Sequence, residues 1–94
     1  MVFLWDRGKA LANERKHGVS FELARTVFFD WFVLTRPDDR FDYGEDRFVS
    51  VGEAANGRAL AVAHPDEGDT IRIISARKAT RFELATYEEA RYQA

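Results

Sequence analysis

The sequence predicts an α+β fold: an antiparallel sheet of four to five strands, two N-terminal helices and one C-terminal helix. Three observations predict it. Helix-capping residues stand at Asp6, Ser20 and Thr80. Short apolar runs punctuated by turn residues fill the middle of the chain. Strands therefore segregate from helices, and the helices are expected to cover one face of the sheet.

Residues 2–5 are apolar and read as a starting or edge strand. Asp6 caps a helix over 7–17 by accepting its first free N–H groups. Gly18 suits the left-handed position that ends it. Ser20 caps a second helix over 21–29, where Phe21, Ala24, Val27 and Phe28 fall near helical spacing. Residues 31–35 form a strand, stopped by Arg36-Pro37-Asp38-Asp39. The polar segment 37–46 reads as an exposed loop. Residues 47–52 and 58–64 form strands around the turn Ala55-Asn56-Gly57, since Asn-Gly is a strong hairpin signal. Residues 65–69 form another turn. The last strand spans 70–76, with three Ile in the four positions 71–74. Thr80 and Glu83 make a capping box for a C-terminal helix over 81–91.

The 94 residues fit one domain, 1–94, without repeat or linker. Cysteine is absent, which excludes disulfides, thiolate metal sites and Cys nucleophiles. With two His, a His-rich metal centre is not expected. No apolar run reaches the roughly 20 residues of a membrane helix, and the N-terminus lacks the pattern of a signal peptide. A cytoplasmic protein is the expectation. Net charge is −2, but charge is segregated. Residues 70–82 hold four bases (Arg72, Arg77, Lys78, Arg81) after Thr70 and no acid, whereas 38–46 hold five acids and Arg40 alone.

No phosphate-binding loop, dinucleotide fingerprint or nucleophile elbow occurs. What remains is Arg, His and Lys around the last hairpin. If its turn pairs His64 with Thr70, then Val62 faces Arg72 and His64 lies diagonal to Arg72. Arg77 follows the strand and can swing to either face. Imidazole beside guanidinium suits metal-free RNA cleavage: the 2′-OH attacks its own phosphate, a base takes the proton, and cations stabilise the phosphorane. Exposed aromatics such as Phe41, Tyr43 or Tyr87 could stack bases. Each residue also has a plainer reading. His17 suits a helix end. His64 suits a structural hydrogen bond, and Arg72 a cross-strand ion pair. Arg58 suits solvent, Tyr87 the core, and Glu45 and Asp46 a solvated loop rather than a general base.

Longer motifs go further. They are Phe3-x-Trp5-Asp6; Lys16-His17-Gly18-Val19-Ser20-Phe21 with Ala24 and Val27-Phe28; Gly44-Glu45-Asp46-Arg47-Phe48; Gly57-Arg58 opening a strand that ends in His64; and Ile71-Arg72-Ile73-Ile74-Ser75-Ala76-Arg77-Lys78-Ala79-Thr80, with Glu83 and Tyr87 beyond. In this order they resemble the BrnT family of bacterial type II toxins. The resemblance implies a RelE-like fold and a metal-independent endoribonuclease that halts translation and growth. It implies neutralisation by a BrnA-type ribbon-helix-helix antitoxin, in a 2:2 complex that reaches operator DNA only through the antitoxin. No metal, organic cofactor or membrane partner is implied. Carried onto this chain, His64 is the expected acid/base, and Arg72 and Arg77 the phosphorane-stabilising groups. Arg58 and Lys16 would hold flanking phosphates, with His17 and Tyr87 as further substrate contacts. Two other readings remain open: a non-catalytic antitoxin-binding module that modulates operon repression, and a plain RNA-binding protein. The slightly acidic balance disfavours the last.

Overall fold

The computed structural model describes residues 1–65 and 67–93. Asp66, within the predicted turn 65–69, lies outside the described residues. The chain opens with β1, Val2–Leu4, and Asp6 then starts α1, Arg7–His17. The Asp6 carboxylate accepts the Lys9 N–H at 2.8 Å. Gly18 ends the helix in the left-handed region, at φ 69°, with its N–H on the Glu14 carbonyl. Ser20 accepts the Leu23 N–H and starts α2, Phe21–Ala24, which tightens into a 3-10 turn at Arg25–Phe29. The Thr26 hydroxyl bonds the Leu23 carbonyl within that tightening, competing with regular helical pairing.

The sheet begins later than expected. Asp30 accepts the Phe32 N–H on its carboxylate and the Val33 N–H on its carbonyl, so residues 31–33 turn rather than extend. β2 is therefore Leu34–Pro37, followed by β3, Arg47–Glu53, and β4, Ala59–Pro65. β5 is Thr70–Arg72, β6 is Ser75–Lys78, and α3 is Arg81–Gln93. Strands β2-β3-β4-β6 form one antiparallel sheet, and β1 pairs with β5 in parallel.

The predicted strand 70–76 is thus two strands. The Ile73 N–H bonds the Leu4 carbonyl and the Ile74 N–H bonds the Ala63 carbonyl, so the chain changes partners between these residues. The expected hairpin register, His64 opposite Thr70 and Val62 opposite Arg72, does not form. Val62 lies opposite Ala76 instead. The slip is an even number of residues, so inward positions stay inward. Arg72, however, leaves the main sheet for the β1 pair.

Helices cover both faces of the sheet, not one. Leu60, Val62 and Ala76 meet Phe21, Ala24 and Val27 on the first face. Val49, Val51 and Ala61 meet Tyr87 of α3 on the second. Period-two alternation explains it, because β3 and β4 are apolar on both sides.

The sheet edges are also managed. The bond from the Asp38 N–H to the Arg47 carbonyl sets the alternation along β2, so Thr35 and Pro37 face the open edge. Pro37 carries no N–H there, which blunts it. At β6 the Asn13 side chain of α1 closes the other edge. Its amide accepts the Ala76 N–H at 3.0 Å and donates to the Ala76 and Val19 carbonyls at 2.9 and 3.0 Å.

Candidate active site

His64 is near the end of β4, opposite Phe48 of β3. Its ring stacks on Phe48 and meets Phe28 edge-on, so the imidazole is held in place and only 7% exposed. Nδ1 donates to the Pro65 carbonyl at 2.9 Å. In the neutral ring that leaves Nε2 as an acceptor. Ser50 Oγ lies 2.7 Å from Nε2, and Thr35 Oγ1 lies 2.7 Å from Ser50 Oγ. The three side chains form one hydrogen-bonded row from the fully buried Ser50 to the exposed Thr35. His64 and Thr35 both line a cleft of about 260 Å³, together with Phe28, Phe48, Glu67, Thr70 and Ile71.

Arg72 stands beside this cleft. Its guanidinium bonds both Glu45 oxygens, at 2.9 and 3.0 Å, and Glu67 Oε1 at 3.3 Å. The Glu45 bond, opposed by slight desolvation, raises the guanidinium above its ordinary pKa. Glu67 is the link, since it lines the His64 cleft and accepts from Arg72. Arg47 completes the group. It lies over the Tyr43 ring, 4.1 Å from its centre, with Nε 3.9 Å from Glu45 Oε2. Tyr43 is itself tied down through Asp38, which accepts from Arg40 and from the Tyr43 hydroxyl. The Arg40 hydrogen bond, against desolvation, holds the Asp38 carboxyl below the usual range. The acidic segment 37–46 is exposed apart from Asp38 and the half-buried Tyr43, and these contacts give it a fixed shape.

The other predicted site residues lie elsewhere. Arg77 points to the second sheet face, opposite Ala61, whereas His64 shares the first with Val62. Arg77 forks onto Glu83 at 2.7 and 3.1 Å, and Arg36 reaches the same carboxylate at 2.9 Å. Burial pushes the Glu83 carboxyl up, but Arg77, the Thr80 N–H and Arg36 outweigh it and hold it at about 2. Tyr87 is in the second core with its hydroxyl on Asp30. Burial first, then that bond, pushes the phenol up to about 12. Arg58 is exposed at the far end of β4, six residues from His64 and so roughly 20 Å away. Lys16 is exposed and His17 half-buried in the last turn of α1. The structure thus places His64 in the cleft, ties Arg72 to its rim through Glu67, and leaves Arg77, Tyr87 and Arg58 apart from it.

Sequence reasoning passed over Ser50, Thr35, Arg47 and Glu67. Ser50 left a signal: on β3 it falls between Phe48 and Gly52 on the inward face, where a hydroxyl needs a buried partner. Glu67 left none, because its contact depends on β5 pairing with β1. Among the described residues, no group of three or more His, Asp or Glu could hold a metal ion, and no helix is long and apolar enough to cross a membrane.

Comparison with known proteins agrees with this architecture. The crystal structure of the Brucella abortus ribonuclease toxin BrnT superposes with a TM-score of 0.65 at 24% sequence identity. The match covers 86% of this chain and 100% of that one. No curated protein sequence matches. The family model described as "Ribonuclease toxin, BrnT, of type II toxin-antitoxin system" matches residues 5–83, which takes in α1 through the start of α3. The chain belongs to the BrnT family of ribonuclease toxins.

Proposed function

We propose that this toxin is a metal-independent endoribonuclease that cleaves RNA at the His64 cleft, halting translation and growth. The observation that carries the site is the row Thr35–Ser50–His64 opening beside Arg72. In the proposed reaction the ribose 2′-oxygen attacks the adjacent phosphorus. Its proton passes to Thr35 Oγ1 as the Thr35 proton moves to Ser50 and the Ser50 proton to His64 Nε2. The O2′–P bond forms and the P–O5′ bond breaks. The products are a 2′,3′-cyclic phosphate and a 5′-hydroxyl, whose proton comes from the imidazolium by the reverse path or from water. Arg72 stabilises the charge gathered on the phosphorane, a job for a forked cation in a sheltered site. Arg77 serves structure in this scheme, through Glu83. Lys16, His17 and Arg58 would meet more distant phosphates of a bound strand.

The partner is proposed to be a BrnA-type ribbon-helix-helix antitoxin in a 2:2 complex that binds DNA through the antitoxin. The full pairing of Arg72 by two carboxylates also favours a second reading, a non-catalytic antitoxin-binding module.

The test is cleavage of total RNA in EDTA by the wild type and by His64→Ala, Arg72→Ala and Arg77→Ala, with circular dichroism as the check on folding. General acid–base and charge-stabilising groups contribute about 100-fold or more each. The first two variants should lose that much, and Arg77→Ala should lose thermal stability instead. Full-rate cleavage by folded His64→Ala and Arg72→Ala would sink the assignment. Folded wild type that cleaves nothing, with or without ribosomes, leaves the binding module.

A further inference from the structure

Among the described residues, Arg47 carries a buried side-chain donor whose pairing does not close. Its Nε–H is buried and has no hydrogen-bond partner among the described residues. An unpaired buried donor is costly and rare in a folded protein. The nearest charged acceptor, Glu45 Oε2, is 3.9 Å away, beyond hydrogen-bond length. Glu45 lies instead against Arg72, whose terminal NH2 group reaches both its oxygens. Tyr43 keeps the Arg47 guanidinium from swinging away. Two guanidinium groups therefore flank one carboxylate that satisfies only one of them.

We infer that Arg47 and Arg72 form a seat for one phosphate of the RNA backbone, and that Glu45 fills this seat in the free protein. The inference rests on the ribonuclease reading for the source of the phosphate. A carboxylate offers two acceptor oxygens in one plane. A phosphate group offers oxygens in three dimensions and can reach both cations. Guanidinium forks suit such an anion. Position agrees: Arg47 opens β3 opposite Pro65, which lines the cleft, and Arg72 shares Glu67 with it. Release of Glu45 is easy, because its side chain is 34% exposed and pairs of that kind are weak. The seat also accounts for how a chain of net charge −2 can hold RNA. One internal carboxylate leaves as one phosphate enters.

Two probes separate this inference from the ribonuclease reading. Binding of a single-stranded oligodeoxynucleotide, which lacks the attacking 2′-OH, is followed by fluorescence anisotropy across a salt series. Inorganic phosphate is followed by the NMR signal of the Arg47 Nε–H. Glu45→Gln should tighten oligonucleotide binding about tenfold and steepen its log–log salt slope by about 0.7, one further phosphate contact on a single strand. Glu88→Gln on α3 removes the same charge and should change affinity less than about twofold, as exposed charges are screened. Adding Arg47→Gln to Glu45→Gln should cancel the gain. Inorganic phosphate should shift the Arg47 signal at lower concentration in Glu45→Gln than in wild type. The seat is overturned if Glu45→Gln gains no more than Glu88→Gln, or if the gain survives Arg47→Gln. A phosphate shift without oligonucleotide gain overturns the RNA assignment. Tight binding with no RNA cleavage upholds the seat while the ribonuclease reading fails.

Discussion

Asn13 shows how much one side chain can hold. Its amide bonds the Ala76 N–H, the Ala76 carbonyl and the Val19 carbonyl, and it is buried in α1. It behaves as a short extra strand laid on the β6 edge. Asn13→Ala strands three backbone groups, and each buried unsatisfied group costs about 1–3 kcal/mol. We expect a loss of about 3 kcal/mol, read as a lower urea midpoint with unchanged slope. Asn13→Asp keeps the acceptor for the Ala76 N–H and loses the donors, so it should fall between. A midpoint unchanged in Asn13→Ala would show that the edge is satisfied by water. Nothing around Asn13 in the sequence marks it, because its partners are distant in the chain. His64 was legible as a polar residue at a strand end, and Ser50 could have been read as its buried companion. The pairing of Arg72 with Glu45 and Glu67 could not, since it needs three separate segments to meet.

At the scale of elements, caps were legible and registers were not. Asp6, Gly18, Ser20 and the Thr80–Glu83 box act within a few residues of themselves and stand where the sequence places them. The register of β4 against β6 depends on where β5 goes, and β5 leaves to pair with β1. The run 71–74 reads as one continuous strand because Ile71, Ile73 and Ile74 are all strand formers, which hides the change of partners after Ile73. Gly52 marks one close contact between elements. A Cβ there would stand 3.0 Å from Val27 Cγ1 and 3.3 Å from the Val27 carbonyl oxygen. The 3-10 turn that carries Val27 packs directly on β3 for this reason. Gly52→Ala should force the two apart and cost about 2 kcal/mol, within the range for overpacked cores. Thermal melting checks it, and an unchanged Tm would show that Val27 can yield.

Across the molecule, charge is spent internally. The basic run 70–82 looks free in the sequence, yet Arg72 and Arg77 are both held by carboxylates. Glu83 ties three elements, since Arg36 comes from β2, Arg77 from β6 and its own backbone from α3. Its folded pKa, about 2, lies below the ordinary 4.5. Stability from this group is therefore full above about pH 5 and fades as pH falls toward 2. The shift corresponds to about 3 kcal/mol, and solvent screening at the half-open arginines trims it to about 2 kcal/mol. Unfolding free energy measured from pH 6 to pH 2.5 should fall less in Glu83→Gln than in wild type. Parallel curves would remove Glu83 as the cause.

The parallel pair of β1 with β5 joins the second residue of the chain to the seventieth. During synthesis β1 leaves the ribosome first and has no partner until β5 follows. Arg72 is the last residue of that pairing and lies opposite Leu4. A nascent chain therefore cannot seat Arg72 until most of the protein has emerged. Contacts of such long range close late and slowly. The cleft walls that β5 supplies, Thr70 and Ile71, are thus in place only once β5 has emerged and met β1.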